Sequence, residues 1–215
     1  MKKHLSYWED QLDIEQFKKH CGDFKVPFKC EVREHIKERG YESILDCGAG
    51  VFSEYYGFKY DGYHIEYSAT EITPSYVEFG RLRGINVIES NIENIPFADE
   101  SFECSICFDV LNHQVEYEKA IKEMLRVTKK EVIISFFKPF IEEAREGKDY
   151  SGNYKMEYFP QGVREHRVIN EDNQTTCLYT FFNKAKFVNF LKSLNVVWWF
   201  KKGPAHRNIL FLEKI

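Results

Sequence analysis

Ile44-Leu45-Asp46-Cys47-Gly48-Ala49-Gly50 joins an apolar run to an acid and two glycines. A buried strand over Ser43–Cys47 would deliver that acid and turn at its carboxyl end. Glycine lets a backbone turn sharply and approach a ligand closely. Amides at the start of the following helix can face the ligand's polar groups. Asp46 can accept hydrogen bonds from the turn amides or from an ammonium group on a ligand. Glu71 lies 21 residues beyond Gly50, where an acid closing the next strand can accept both protons of a ribose diol. A third polar loop runs from Ser90 to Glu103 and opens with Asn91 and Ile92. A fourth segment, Phe108-Asp109-Val110-Leu111-Asn112-His113, carries a histidine that can serve as a general base and an acid that can touch a substrate.

These residues need a scaffold that places strand ends side by side. Helices are expected over Leu5 to Cys21 and from Pro27 to the stop at Gly40. Strand Ser43–Cys47 is followed by a short helix near Ser53 to Tyr56, and strand Tyr67 to Ile72 by a helix from Pro74 to Arg83. Strands Asn86–Glu89 and Phe102–Phe108 come next. The period of Tyr117, Ile121, Met124 and Leu125 predicts a helix before strand Glu131 to Phe137. Alternation of this kind gives crossover units and a mostly parallel sheet, with ligands beyond the carboxyl ends of its strands. Asp149 to Phe182 is polar and aromatic and predicts an excursion containing a hairpin. Phe187, Phe190, Leu191 and Leu194 mark a last helix, and Asn195 to Lys201 and Asn208 to Leu212 two strands in a tight antiparallel pair. The expected class is α/β, doubly wound, with a mostly parallel seven-stranded sheet, an antiparallel C-terminal strand and an inserted hairpin. The 215 residues are expected to form one domain, 1–215. Its parts are an N-terminal helical lid (1–40), a ligand-binding core (41–137), a substrate-side excursion (138–182) and a closing helix with strands (183–215).

Composition narrows the functional classes. Thirty basic and 34 acidic side chains leave a formal charge of −4, which argues against a nucleic-acid partner held mainly by phosphate contacts. The apolar runs are too short to cross a bilayer, and no signal-like segment follows Met1, so a cytoplasmic protein without a membrane partner is expected. Cys104-Ser-Ile-Cys107 has metal or redox spacing, yet residues three apart on a strand face opposite ways. These thiols and Cys47 are expected in the core, and no metal site is predicted.

Together the four segments resemble the class I S-adenosylmethionine-dependent methyltransferases, in particular the small-molecule group with an acid-x-Gly-x-Gly turn. The resemblance covers roughly Ser43 to Phe137 and the closing strands. It implies a Rossmann-like fold and S-adenosylmethionine as cofactor, with S-adenosylhomocysteine as product. Asp46, Gly48, Ala49 and Gly50 would surround the cofactor's amino-acid part, and Glu71 would hold the ribose. Ile72, Asn91 and Ile92 would meet the adenine, and Phe108's backbone would lie near the methionine end. His113 and Asp109 would be the candidate catalytic residues, acting on an oxygen or nitrogen of a small-molecule acceptor. Two positions depart from the pattern: Phe52 stands where a third glycine is frequent, and Asn91 where aspartate is usual.

Two alternatives accompany this reading. Gly48-Ala-Gly50-Val-Phe-Ser53 nearly fits the turn of an NAD(P)-dependent oxidoreductase, but Ser53 replaces its last glycine and Asp46 would face a pyrophosphate of like charge. A methyltransferase-like protein that only binds a partner is the other.

Overall fold

The computed structural model describes residues 23–114, 116–137, 140–141, 154–159, 162–168, 175–203 and 207–215. The expected helix over Leu5 to Cys21, with Tyr7 and Trp8, lies outside them, as do the side chains of Arg164, His166 and Arg167.

Helix α1 (Pro27–Glu38) starts on Pro27, whose missing N–H costs nothing in a first turn. It ends at Gly40, which takes the left-handed φ of 66°. There follow β1 (Ser43–Cys47), α2 (Ser53–Tyr60), β2 (Glu66–Glu71), α3 (Pro74–Arg81), β3 (Asn86–Glu89) and β4 (Phe102–Phe108). A 3₁₀ turn (Leu111–His113) leads to α4 (Tyr117–Val127) and β5 (Thr128–Phe136). The remaining elements are β6 (Tyr154–Phe159), β7 (Gly162–Val168), β8 (Thr175–Phe182), α5 (Lys184–Ser193), β9 (Val196–Lys202) and β10 (Asn208–Lys214).

Seven strands form one sheet in the order β3-β2-β1-β4-β5-β10-β9. Strand β10 is antiparallel to both neighbours, so it alone opposes the sheet's direction. The chain winds outward from β1 to β3, then restarts beside β1 with β4. That reversal opens a crevice at the carboxyl ends of β1 and β4. Asp46 stands opposite both Ala69 of β2 and Ile106 of β4.

Helices cover both faces. Tyr117, Ile121 and Met124 of α4 and Phe187 and Leu191 of α5 pack on one side with Phe182 and Leu210. Phe28, Val32 and Ile36 of α1 and Phe58 of α2 pack on the other with Ile44, Ile106 and Phe211. Cys104 and Cys107 are fully buried in these two separate clusters, as the strand geometry predicts. Burial pushes both thiols well above the usual range, which suits packing groups rather than ligands.

Three elements differ from expectation. Helix α2 runs on to Tyr60 and closes at Gly62, with φ 66°. Strand β5 begins at Thr128 directly after α4, because the Thr128 hydroxyl donates to the Met124 carbonyl (2.6 Å) and closes the helix without a loop. The excursion holds the expected hairpin, β6 with β7, and extends it: β8 adds a third antiparallel strand. Its sequence, Thr-Thr-Cys-Leu-Tyr-Thr-Phe-Phe, is rich in β-branched and aromatic residues that favour a strand.

Candidate functional site

The glycine turn is held from β2. Gly48 and Gly50 adopt φ of 78° and 53°, the left-handed region that favours glycine. The Gly48 and Ala49 amides donate to the Thr70 carbonyl (2.8 and 3.1 Å), not to Asp46. The Gly50 amide donates to Glu71 Oε2 (2.8 Å), while Glu71 Oε1 accepts from the Ile72 and Thr73 amides (2.9 Å each). Three amides therefore fix the Glu71 carboxylate, leaving about one of its four lone-pair sites for a further donor. Val110 packs over the turn, so that a Cβ on Gly48 would lie 2.6 Å from Val110 Cγ2.

Phe52 takes the conformation that a glycine at its position would supply, with φ 62°. Its ring is fully buried and stacks on Phe79 (6.3 Å, 7° between planes). Across from it, a Cβ on Gly80 would come within 2.5 Å of the ring. The glycine absent from the turn is thus matched by one in α3, which makes room for the phenyl group.

Asp46 is 4 % exposed. It accepts the Tyr67 hydroxyl at 2.6 Å. Burial raises its carboxyl to about 7; the Tyr67 bond opposes that, Glu54 and Glu71 add to it, and Lys29 counteracts it. Lys29 Nζ reaches Ser53 Oγ (2.6 Å) and Glu54 Oε1 (3.3 Å). Arg33 bridges Glu54 (3.0 Å) and Asp61 (2.6 Å). Sequence reading missed Tyr67, Lys29 and Arg33. A signal existed for the two cations, which stand four apart beside the apolar stripe Phe28, Val32 and Ile36 and are buried with it.

Beyond β4 the chain is pinned at several points. Asp109 has φ 63°, and its amide donates to both the carbonyl and the hydroxyl oxygen of Ser135 (3.2 and 3.1 Å). Its carboxylate accepts from the Ser135 hydroxyl (2.7 Å) and pairs with Arg207 (2.7 Å). The structure places this acid in an ion pair that holds the turn. Asn112 is buried; its amide donates to the Thr180 carbonyl (2.9 Å) and its oxygen accepts from the Phe137 amide (3.0 Å). It ties the segment to β8 and to the end of β5. His113 is half-buried, its ring 5.4 Å from Phe137 and 5.6 Å from Tyr179. Those two rings meet edge to face at 5.5 Å.

Among the remaining candidates, Asn91 Oδ1 accepts from the Glu93 amide (2.9 Å) and so shapes its own loop. Ile92 is buried in the α4 and α5 cluster, and Ile72 is half-buried. Phe108 packs edge to face on Phe28 (5.5 Å). Ala49 lies against the cluster around Phe52. Thus β2 grips the turn through Thr70 and Glu71 and holds Asp46 through Tyr67, with Asp109, Val110 and His113 beyond the end of the adjoining strand β4. His64 and Glu66 are exposed, and Phe97 and Phe102 pack on one another at 4.9 Å.

Residues 45–136 match the family model described as a methyltransferase domain. The ubiquinone/menaquinone biosynthesis C-methyltransferase of Haemophilus ducreyi is 31 % identical over 83 residues, 34 % of this chain and 32 % of that protein. The demethylmenaquinone methyltransferase of Paenarthrobacter aurescens is 32 % identical over 105 residues, 46 % of this chain and 41 % of that protein. The chain thus matches less than half the length of these curated relatives. In fold it is similar to the sugar N-methyltransferase KedS8 from Streptoalloteichus, with TM-score 0.66, 14 % identity and coverage of 93 % of this chain and 92 % of that one. It is also similar to CalS10, an amino pentose methyltransferase from Micromonospora echinaspora with bound S-adenosylmethionine, with TM-score 0.62, 14 % identity and coverage of 86 % and 89 %. Residues 45–136 thus match a methyltransferase domain, and the sheet that carries the acid-and-glycine turn at its switch point is similar in fold to those of solved methyltransferases.

Proposed function

We propose that the protein transfers the methyl group of S-adenosylmethionine to an oxygen or nitrogen atom of a small-molecule acceptor and releases S-adenosylhomocysteine. One observation carries this reading: Asp46 and Glu71, from adjacent strands, flank a glycine turn that Glu71 itself grips through the Gly50 amide. The residues present fit the cofactor. A buried acid near neutrality suits an ammonium group, and an amide-seated carboxylate suits a ribose diol. Val110 leaves no room for a Cβ on Gly48, so the turn keeps a bare backbone at the strand ends. Asp46, Gly48, Ala49 and Gly50 would hold the amino-acid part, Glu71 the ribose, and Ile72, Asn91 and Ile92 the adenine. Phe108's backbone would border the methionine end.

The bound cofactor would supply an activated methyl carbon on sulfonium. The chain's own task is then to align an acceptor and exclude water, and orientation alone can contribute several kcal/mol, up to about 7–11. Asn112 and the Asp109–Arg207 pair hold the strand end rigid, and His113 beside Phe137 and Tyr179 offers a base next to flat apolar walls. The family match stops at residue 136, so the acceptor is left to the excursion beyond it, of which β8 is tied to the strand end through Asn112. A ring carbon is the second reading, favoured by the aromatic trio and by relatives named for quinone methylation.

Calorimetry with S-adenosylhomocysteine tests the cofactor and is expected to show one site. Binding of NAD instead would return the oxidoreductase alternative, and binding of neither would leave a partner-binding protein. Transfer of labelled methyl to amino sugars or simple phenols, compared with hydroquinones, separates the heteroatom from the carbon reading.

A further inference from the structure

The amino-acid subsite contains a contact, Tyr67 on Asp46, that the mechanism above does not use. Asp46 sits at the end of β1 with its carboxylate enclosed, accepting the Tyr67 hydroxyl at 2.6 Å. Tyr67 projects from the neighbouring parallel strand, and its ring is braced by Tyr55 of α2 at 5.4 Å. We propose that Asp46 and Tyr67 form a proton-holding pair in the cofactor's amino-acid subsite. Capture of the ligand's ammonium group expels the proton carried by the Asp46 carboxyl, and Tyr67 is the positioning residue that keeps that carboxyl aimed. This inference rests on Asp46 being the ammonium acceptor.

The surroundings favour a neutral acid at this position. Cys47, next to Asp46 on β1, and Cys107 of β4 are the nearby thiols; burial pushes both up, so neither supplies a counter-charge. Glu71 from β2 and Glu54 from α2 act against an anion, and Lys29 of α1 favours it. Lys29 is already engaged with Ser53 and Glu54, and Arg33 holds Glu54 from the other side. The group therefore keeps its proton to about pH 7. An incoming ammonium places a positive charge and N–H donors beside the carboxyl, which stabilises the ionised form. The balance is simple: Asp46 O–H breaks, its proton passes to solvent, and the ligand's nitrogen keeps all of its protons.

The test is calorimetry of S-adenosylhomocysteine in pairs of buffers with different ionisation heats. At pH 6.5 the ligand's amine is protonated, and binding should release about three quarters of a proton, falling to about a tenth at pH 8. Affinity should be about tenfold weaker at pH 6 than at pH 8. Methylthioadenosine, which lacks the amino-acid part, should release none. Tyr67→Phe should move the release profile to higher pH, because the hydroxyl that favours the anion is gone, and Asp46→Asn should abolish it. Buffer-independent heats at pH 6.5 from wild-type protein that binds S-adenosylhomocysteine overturn the proposal whether or not the variants fold. An unshifted profile in Tyr67→Phe removes Tyr67 from it. If S-adenosylhomocysteine does not bind at all, the cofactor reading fails instead.

Discussion

Gly48→Ala isolates the demand that the turn makes on the chain. The new methyl carbon would stand 2.6 Å from Val110 Cγ2 and 3.2 Å from Cγ1, both closer than carbon atoms pack. Val110 is β-branched and has few rotamers to retreat into. Overpacking of this kind costs about 1–3 kcal/mol. The backbone adds a second cost, because φ at Gly48 is 78° and a residue with a Cβ loses about 1–2 kcal/mol there. The combined loss, about 2–5 kcal/mol, should appear in the denaturant midpoint and as weaker binding of S-adenosylhomocysteine. The two parts separate in a double variant. Adding Val110→Ala removes the clash but leaves the backbone cost, so the pair should recover at least about 1 kcal/mol relative to additivity. A Gly48→Ala protein within about 0.5 kcal/mol of the parent, with unchanged binding, would show that the turn is not packed as described.

Glu71→Ala should weaken S-adenosylhomocysteine binding by about 1.5–3 kcal/mol, the range for hydrogen bonds to a charged group. Unchanged affinity would mean that the ribose lies elsewhere. His113→Ala should leave that affinity within about twofold while slowing transfer by about a hundredfold if the imidazole takes the acceptor's proton; an unaltered rate returns it to packing against Phe137 and Tyr179. Glu54→Ala takes away the acid that the buried Arg33 and Lys29 share, and urea unfolding should show a loss of about 3–5 kcal/mol; less than about 1 would contradict the buried network. Asp46 titrates near 7 when folded against an ordinary value of 3.8, so the empty protein should lose stability from this group as pH rises from about 4 to about 7, and no more above. Urea midpoints of Asp46→Asn across that window should lack this slope, and parallel profiles would refute the assignment.

Much of the architecture was legible because it rests on local pattern. Pro27, Gly40, Pro74 and the stripe Tyr117, Ile121, Met124 and Leu125 mark helices through capping and period, and apolar runs flanked by glycine mark buried strands. The boundaries that moved did so for non-local or side-chain reasons, as when Thr128 capped α4 and removed an expected loop. The third strand of the inserted sheet was less visible: Glu171-Asp172-Asn173 gives a turn signal ahead of it, but a turn signal alone does not say how many strands pair.

At the site, residue types and spacing determined which groups can do chemistry. An acid before two glycines, an acid 21 residues later and a histidine after the fourth strand depend on chain order alone. Tertiary structure decided what each group does with its hydrogen-bonding capacity. It gave Asp46 to a tyrosine on the next strand, Asp109 to Arg207 of the β9–β10 connection, and the Gly50 amide to Glu71. Those partners lie 21, 98 and 21 residues away in the chain. The physical reason is that parallel strands bring distant residues to one edge, while ionisation depends on burial and on the charges that the fold places nearby.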